Sequence, residues 1–469
     1  MSYREEQLKK LDTTIEWSQF LIAAARSPIW AAIPYLRTMV AAMRRQVLVG
    51  RILLEGEEKA LSNETMARRV VHAVGFERPW DALRWIESGR SVYSAWQKAK
   101  AAGDFSLMVK AADKRYALAR EIGSRRMAEF NALASRHGWQ MISKISESFV
   151  QRQTPGLNTF KVDCMSDDAA FWAPLVHHSL KEWQVRRMDV PRKALLSINA
   201  EDKMRLARRL LDKDPDRLFD VRLKAVENPL CQGYGDRVGI GLNPDVPLFQ
   251  FLKAYRHERA HAAYRTKLKG APPSAALDEL LPLMDEHFIL PTPAECQTIL
   301  DELKWVMGEE RFPDELTAEH IKQGLSSVQS EDMGGEPDLY LYAINRAIYS
   351  RSEAKMLDEV IPMEQFPDVL AEHVWMFTGK TISRAEAEKM ALARFQPYIT
   401  PGRGKAYEAA IYAAAALAEK LRPMAPEARR KWLQENLYGL PETPQFMDAV
   451  EQLTGERLSA DALSFVSPA

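Results

Sequence analysis

The run Tyr255-Arg256-His257-Glu258-Arg259-Ala260-His261-Ala262-Ala263-Tyr264 decides how this chain reads. Two histidines four residues apart on a helix face the same way, one turn apart, so their imidazoles can converge on one cation. Glu258, between them, then stands beside water bound to that cation and can take its proton. His257 and His261 are therefore candidate metal ligands and Glu258 a candidate general base, the pattern of a metal-dependent hydrolase. The helix that carries them is expected from about Val246 to Lys269. Asn243-Pro244-Asp245-Val246-Pro247 supplies N-cap candidates and an early proline, and Gly270-Ala271-Pro272-Pro273 stops it.

A catalytic zinc needs a third protein ligand and one open position. The next helical stretch offers Leu283-Met284-Asp285-Glu286-His287-Phe288. Neighbouring residues on a helix do not face the same way, so these three polar groups cannot all serve. Asp285 reads as part of a solvated face, and Glu286 and His287 both stand open as the ligand. Nitrogen and oxygen donors of this kind suit zinc and also cobalt or manganese.

Upstream, the residues from Pro79 to Pro155 contain no proline between those two ends. They repeat apolar residues at helical spacing: Trp80, Leu83 and Ile86, then Val92, Trp96 and Ala99. Long helices are expected, broken at Gly103-Asp104 and Gly138. The stretch from Asp189 to Asp216 continues helical. Between Phe219 and Asn243 glycines accumulate, and Arg237-Val238-Gly239-Ile240-Gly241-Leu242-Asn243 alternates loosely as a short strand. Any sheet is therefore small. Helical patterns resume to the C-terminus, with breaks near Gly334-Gly335, Phe366-Pro367 and Thr400-Pro401-Gly402. The expectation is one mainly α domain over residues 1–469, with an N-terminal helical part (1–218) and a part carrying the metal site (219–469).

The bulk properties narrow the field. The chain has 469 residues, enough to bury a core without disulfides. Its 64 Lys and Arg balance 64 Asp and Glu, so no nucleic-acid partner is expected. Cys164, Cys231 and Cys296 are scattered, with no paired spacing, and suit a reducing cytoplasm. The charged start MSYREEQLKK lacks a signal-peptide core. Arg26, Pro28, Pro34 and Arg37 break the apolar stretch from Phe20 to Met43, so no membrane span is expected there.

At the metal motif the chain resembles the thermostable, Taq-type metallocarboxypeptidase family, whose H-E-x-G-H-A-x-Y-E run is similar to His257 through Arg265. That family takes its third ligand from the Glu of a later H-E-S-Q-S motif. Asp285-Glu286-His287 resembles it, so the resemblance selects Glu286 over His287. The family's W-x-x-A-x-x-x-x-D-F motif resembles Trp96 through Phe105, and its E-P-G turn resembles Thr154-Pro155-Gly156. Its H-P-F segment resembles Asn228-Pro229-Leu230, its H-I-x-x-R helix resembles Tyr342 through Arg346, and its late Gly- and Tyr-bearing segment is similar to Tyr398 through Tyr407.

The resemblance implies a helical, saddle-like domain with a deep groove, a small sheet at the groove wall, a zinc-dependent carboxypeptidase activity and a homodimer. Its departures fall on substrate recognition. Asn228 replaces the H-P-F histidine, and Asp236 through Leu242 loses the arginines of the family's D-x-R-x-T-T-R strand. A substrate carboxylate is best held by a bidentate arginine. Arg346, Arg351 and Arg403 are the candidates, with Arg346 matching the family's helix arginine. Tyr407 and Tyr398 are candidates for the hydrogen-bond donor that stabilises a tetrahedral intermediate. The expected substrate is a peptide, the alternative a non-peptide amide or small metabolite.

Overall fold

The computed structural model describes residues 79–137, 141–153, 198–227, 229–234, 237–268, 274–326, 339–394, 398, 401–438, 440, 446–456 and 458, with isolated positions before residue 49. Most of the early apolar stretch, with Gly138, Thr154-Pro155-Gly156, Asn228 and Gly334-Gly335, lies outside them.

The protein is mainly α. Helices α1 (Pro79–Ala102), α2 (Ser106–His137) and α3 (Ile145–Gln153) open the described chain, and α4 (Ala200–Asp212) follows. The expected break falls at Gly103, in the left-handed region at φ 66°. Asp104 then turns the chain into α2 by accepting from the Ser106 amide. Trp96 is buried and its indole N–H donates to the Leu392 carbonyl at 2.9 Å, tying α1 to the distant C-terminal half.

The sheet is larger than the single strand anticipated. Strands β1 (Arg222–Ala225), β2 (Leu230–Tyr234) and β3 (Arg237–Leu242) order as β1-β3-β2, with β1 parallel and β2 antiparallel to β3. β1 carries Arg222 and Lys224 and β2 carries Gly233. Charge and glycine weaken the apolar alternation by which strands are recognised.

Helix α5 (Leu248–Arg265) carries the metal motif. It is shorter than expected at both ends. Pro247 occupies its N-cap without a side-chain cap, and Asn243 instead closes a turn by accepting from the Asp245 amide. Three apolar groups enclose α5. Phe251, Tyr255, Ala262 and Ala263 pack on Val238, Ile240 and Leu242 of β3. Leu248, Phe249 and Leu252 meet α7 (Pro293–Met307) and α8 (Ala318–Ser326). Ala260 and Tyr264 join the main core with α6 (Ala275–Leu283) and later helices. Burying each large apolar side chain contributes roughly 1.5–3 kcal/mol, so this enclosure holds α5 firmly in place.

Beyond α6, a π-helical turn (Met284–Phe288) follows, and Ile289 donates its amide to the Met284 carbonyl five residues back. Pro282 lies just ahead, where it removes a helical donor. The chain continues through α9 (Leu339–Asp358), α10 (Phe366–Thr378), α11 (Arg384–Ala393), α12 (Arg403–Leu421), α13 (Pro426–Asn436) and α14 (Phe446–Thr454). One apolar cluster runs from Val92 to Leu458, across both parts distinguished in the sequence. No helix among the described residues is long and apolar enough to cross a membrane.

Candidate metal centre

His257, Glu258 and His261 occupy one stripe of α5, with the two imidazole centroids 4.9 Å apart. The arginines flanking the motif serve as anchors. Arg259 pairs with Asp214 at 2.8 Å and Asp216 at 2.5 Å on the far side of the helix, and Arg256 donates to the Ile289 carbonyl at 2.8 Å. Their polarity therefore holds α5 to its surroundings and leaves the histidine stripe clear.

The third group facing the histidines is Glu279 of α6. Its Oε2 lies 3.4 Å from His257 Nε2 and 3.5 Å from His261 Nε2. One donor atom from each of the three residues falls within 4.8 Å of the others. Ligand atoms around 2.0–2.1 Å from one tetrahedral ion stand about 3.3–3.4 Å apart, so these spacings fit a zinc-sized ion. Glu279 Oε2 is also buried with no hydrogen-bond partner, a costly arrangement for a carboxylate oxygen unless a cation completes it.

Glu286, expected as the third ligand, lies on another side of the His257 ring. Its Oε2 lies 2.9 Å from His257 Nδ1, the ring nitrogen on the other side from Glu279. His287 also stays outside the three-residue group, with Nε2 3.6 Å from Glu286 Oε2. Glu279 was passed over because it sits in Ala275–Leu283, a helix that is otherwise apolar and buried. The signal was available: Asp278 and Glu279 are adjacent acids in a run of Ala, Leu and Pro, which a helix buries only when the acids are paired.

Each acid does have a partner. Asp278 Oδ1 lies 3.4 Å from His261 Nδ1 and 2.9 Å from Arg265 Nε, and Arg265 also donates to the Cys231 carbonyl of β2. Arg403 Nη2 donates to Glu279 Oε1 at 3.0 Å. Burial alone would lower both histidine pKa values, but the surrounding carboxylates prevail. Glu279 and Glu286 hold His257 well above its ordinary value, and Asp278 and Glu279 raise His261. Burial pushes Glu279 up, yet the two histidines and Arg403 hold it well below the usual carboxylate range. For Glu258 burial wins, and its pKa rises. Burial likewise lowers Lys253, one turn ahead of His257, to about 8 against the pull of Glu286.

Tyr407 and Arg346 stand beside this group. The Tyr407 hydroxyl is 3.4 Å from Arg403 Nη2, and the Arg346 guanidinium lies over the Tyr407 ring, 4.6 Å from its centroid. Arg351 faces Glu408 at 4.0 Å. Tyr398 is set apart: it is fully buried and donates to the Ala391 carbonyl at 2.8 Å, a packing role. The glycines around Arg403 approach protein, where an approach to ligand was expected. Gly402 has φ 83°, and a Cβ there would stand 2.7 Å from the Phe149 backbone; one on Gly404 would meet Ser350 at 3.3 Å. On the sheet, Arg237 is exposed, and the alternate residues Val238, Ile240 and Leu242 turn into the core.

The whole chain has the fold of the metallocarboxypeptidases. It superimposes on Trypanosoma cruzi metallocarboxypeptidase 1 with a TM-score of 0.72 and 16% identity, covering 98% of each chain. On Pyrococcus furiosus carboxypeptidase the TM-score is 0.72 at 15% identity, covering 98% of this chain and 97% of that one. On a carboxypeptidase from Deinococcus radiodurans it is 0.69 at 15% identity, covering 99% and 98%. No protein-family model and no curated protein matches the sequence.

Proposed function

We propose that the protein is a metal-dependent, carboxypeptidase-like peptidase. The observation that carries this reading is the placement of Glu279 Oε2 against the Nε2 atoms of both motif histidines, with Glu258 buried in the same stripe. His257, His261 and Glu279 would hold zinc, with cobalt or manganese also suited to these donors. A divalent ion held there supplies positive charge that acidifies water and polarises a carbonyl. Glu258 takes the proton of the attacking water and delivers it to the leaving amine. Tyr407 offers its hydroxyl to the developing oxyanion, and Arg346, whose guanidinium lies over that ring, holds a substrate carboxylate. The solved carboxypeptidases of the same fold support the reaction class. The protein would work as a homodimer in a reducing cytoplasm, with Cys231 and Cys296 buried.

One observation favours a second substrate class, a non-peptide amide. Apart from exposed Arg237, β3 offers only glycines and core-facing aliphatics, so the strand has no charged group at its centre to read a terminal carboxylate. The test is zinc content of the purified protein, followed by hydrolysis of peptides with free and with amidated C-termini. The proposal expects about one zinc per chain and cleavage restricted to free C-termini. Cleavage of blocked amides alone moves the assignment to the second class, and absence of bound metal overturns both.

A further inference from the structure

Two carboxylates contact the metal-motif histidines from behind. Asp278 faces His261 Nδ1 at 3.4 Å and Glu286 faces His257 Nδ1 at 2.9 Å. Both arise from the same strand of chain as Glu279. Glu286 lies in the π-helical turn that continues α6, and Glu279 and Glu286 both point at α5. Glu279 meets the Nε2 edge of the imidazole and Glu286 meets the Nδ1 edge. The neighbouring position, Asp278, is turned toward His261 and locked there by Arg265, whose own position is set by the Cys231 carbonyl.

An imidazole that ligates an ion through Nε2 carries its proton on Nδ1. That proton needs an acceptor in a buried site, and the acceptor fixes both tautomer and ring direction. Resting on the metallopeptidase reading above, we propose that Glu286 is a positioning residue that accepts the Nδ1 proton of His257 and thereby sets how tightly the ion is held. The two carboxylates differ in exposure. Asp278 is buried and already neutralised by Arg265, whereas the Glu286 side chain is 25% exposed. Glu286 is therefore the one that can be changed without leaving a buried charge unpaired.

The experiment uses the full-length chain as wild type, Glu286→Ala, Glu286→Gln and Glu279→Ala. Zinc dissociation constants come from competition with a chromophoric chelator, and folding is checked by circular dichroism. Long-range proton–nitrogen correlation on the zinc-loaded, histidine-labelled protein reports the tautomer and the His257 Nδ1 proton. Removal of an acceptor behind a metal-ligating histidine costs about 10–100-fold in affinity. Glu286→Ala should lose that much and lose the slowly exchanging Nδ1 proton. Glu286→Gln, which keeps an acceptor oxygen, should recover most of both, and Glu279→Ala should lose far more. Unchanged affinity and an unchanged Nδ1 signal in Glu286→Ala overturn the inference while leaving the metallopeptidase reading intact. A loss equal to that of Glu279→Ala also overturns it, because Glu286 would then be a ligand. A wild-type protein that takes no zinc overturns the underlying reading instead.

Discussion

Arg403 donates through Nη2 to Glu279 Oε1 at 3.0 Å, which leaves Oε2 alone to face His257 and His261. One oxygen of the carboxylate is thus committed to a guanidinium on α12 and the other to the histidine pair. The arrangement would suit ligation through a single oxygen, with room left for water or substrate. Arg403→Ala should therefore weaken zinc binding by about tenfold, the scale of one charge-assisted hydrogen bond. Arg403→Lys should fall short of full rescue, since a point charge does not reproduce the guanidinium fork. Chelator competition measures both variants, and wild-type affinity in Arg403→Ala would show that the contact does not constrain Glu279.

Glu258 is buried in the stripe between the two histidines, with burial raising its pKa. If it carries the proton from water to the leaving amine, Glu258→Gln should retain zinc at the wild-type stoichiometry while kcat drops by about a hundredfold or more. Metal analysis and steady-state kinetics on one preparation separate the two effects. A variant that keeps its kcat would remove Glu258 from the mechanism.

Glu353 lies behind the same loop. Its carboxylate accepts the amide N–H of Gly402, the residue that opens α12 next to Arg403. Burial pushes its pKa from the ordinary 4.5 up to about 8, against the pull of that hydrogen bond. In the unfolded chain the group releases its proton near pH 4.5, while in the fold it keeps it to about 8. Between those values the folded state binds more protons, so stability falls as pH rises and the full cost is reached above about 8. Glu353→Gln lacks this dependence. Its stability relative to wild type should climb across that window, by on the order of a few kcal/mol at most, read as a widening Tm difference. Melting curves that run parallel in the two proteins would contradict the assignment.

Gly324 of α8 packs against Phe249 of α5, and a Cβ there would stand 2.3 Å from the Phe249 ring. Phe249 is wholly buried, so it has little room to retreat. Gly324→Ala should destabilise the protein by about 1–3 kcal/mol through overpacking, although alanine is the better helix former. Denaturant melts give the number. Because Phe249 lies on the helix of His257, zinc affinity should fall in parallel; a stabilised variant would show that α8 yields freely.

Much of the site was legible because it is local. His257, Glu258 and His261 depend only on helical spacing, and the flanking prolines and glycines located their helix to within a few residues. Trp96 reads as part of an apolar helical pattern for the same reason, and it is buried. Short strands β1 and β2 escaped notice because charge and glycine blur their alternation. Tyr398 read as a functional candidate from its neighbours in sequence, yet its hydroxyl serves the Ala391 carbonyl.

The sequence by itself determined that two histidines and a glutamate share one face of a buried helix, since a residue's face follows from the helical period alone. For the third group it offered Glu286 and His287 and passed by Glu279. Only the tertiary structure brings Glu279 to the histidines. Glu286 sits beyond it in the π-helical turn, where the α-helical period no longer sets the face. The way α6 lies across α5 brings Glu279 level with the Nε2 atoms and Glu286 level with Nδ1. That crossing is set by packing among Ala260, Tyr264, Ala276, Leu277 and Leu280, contacts between residues that the chain itself keeps apart.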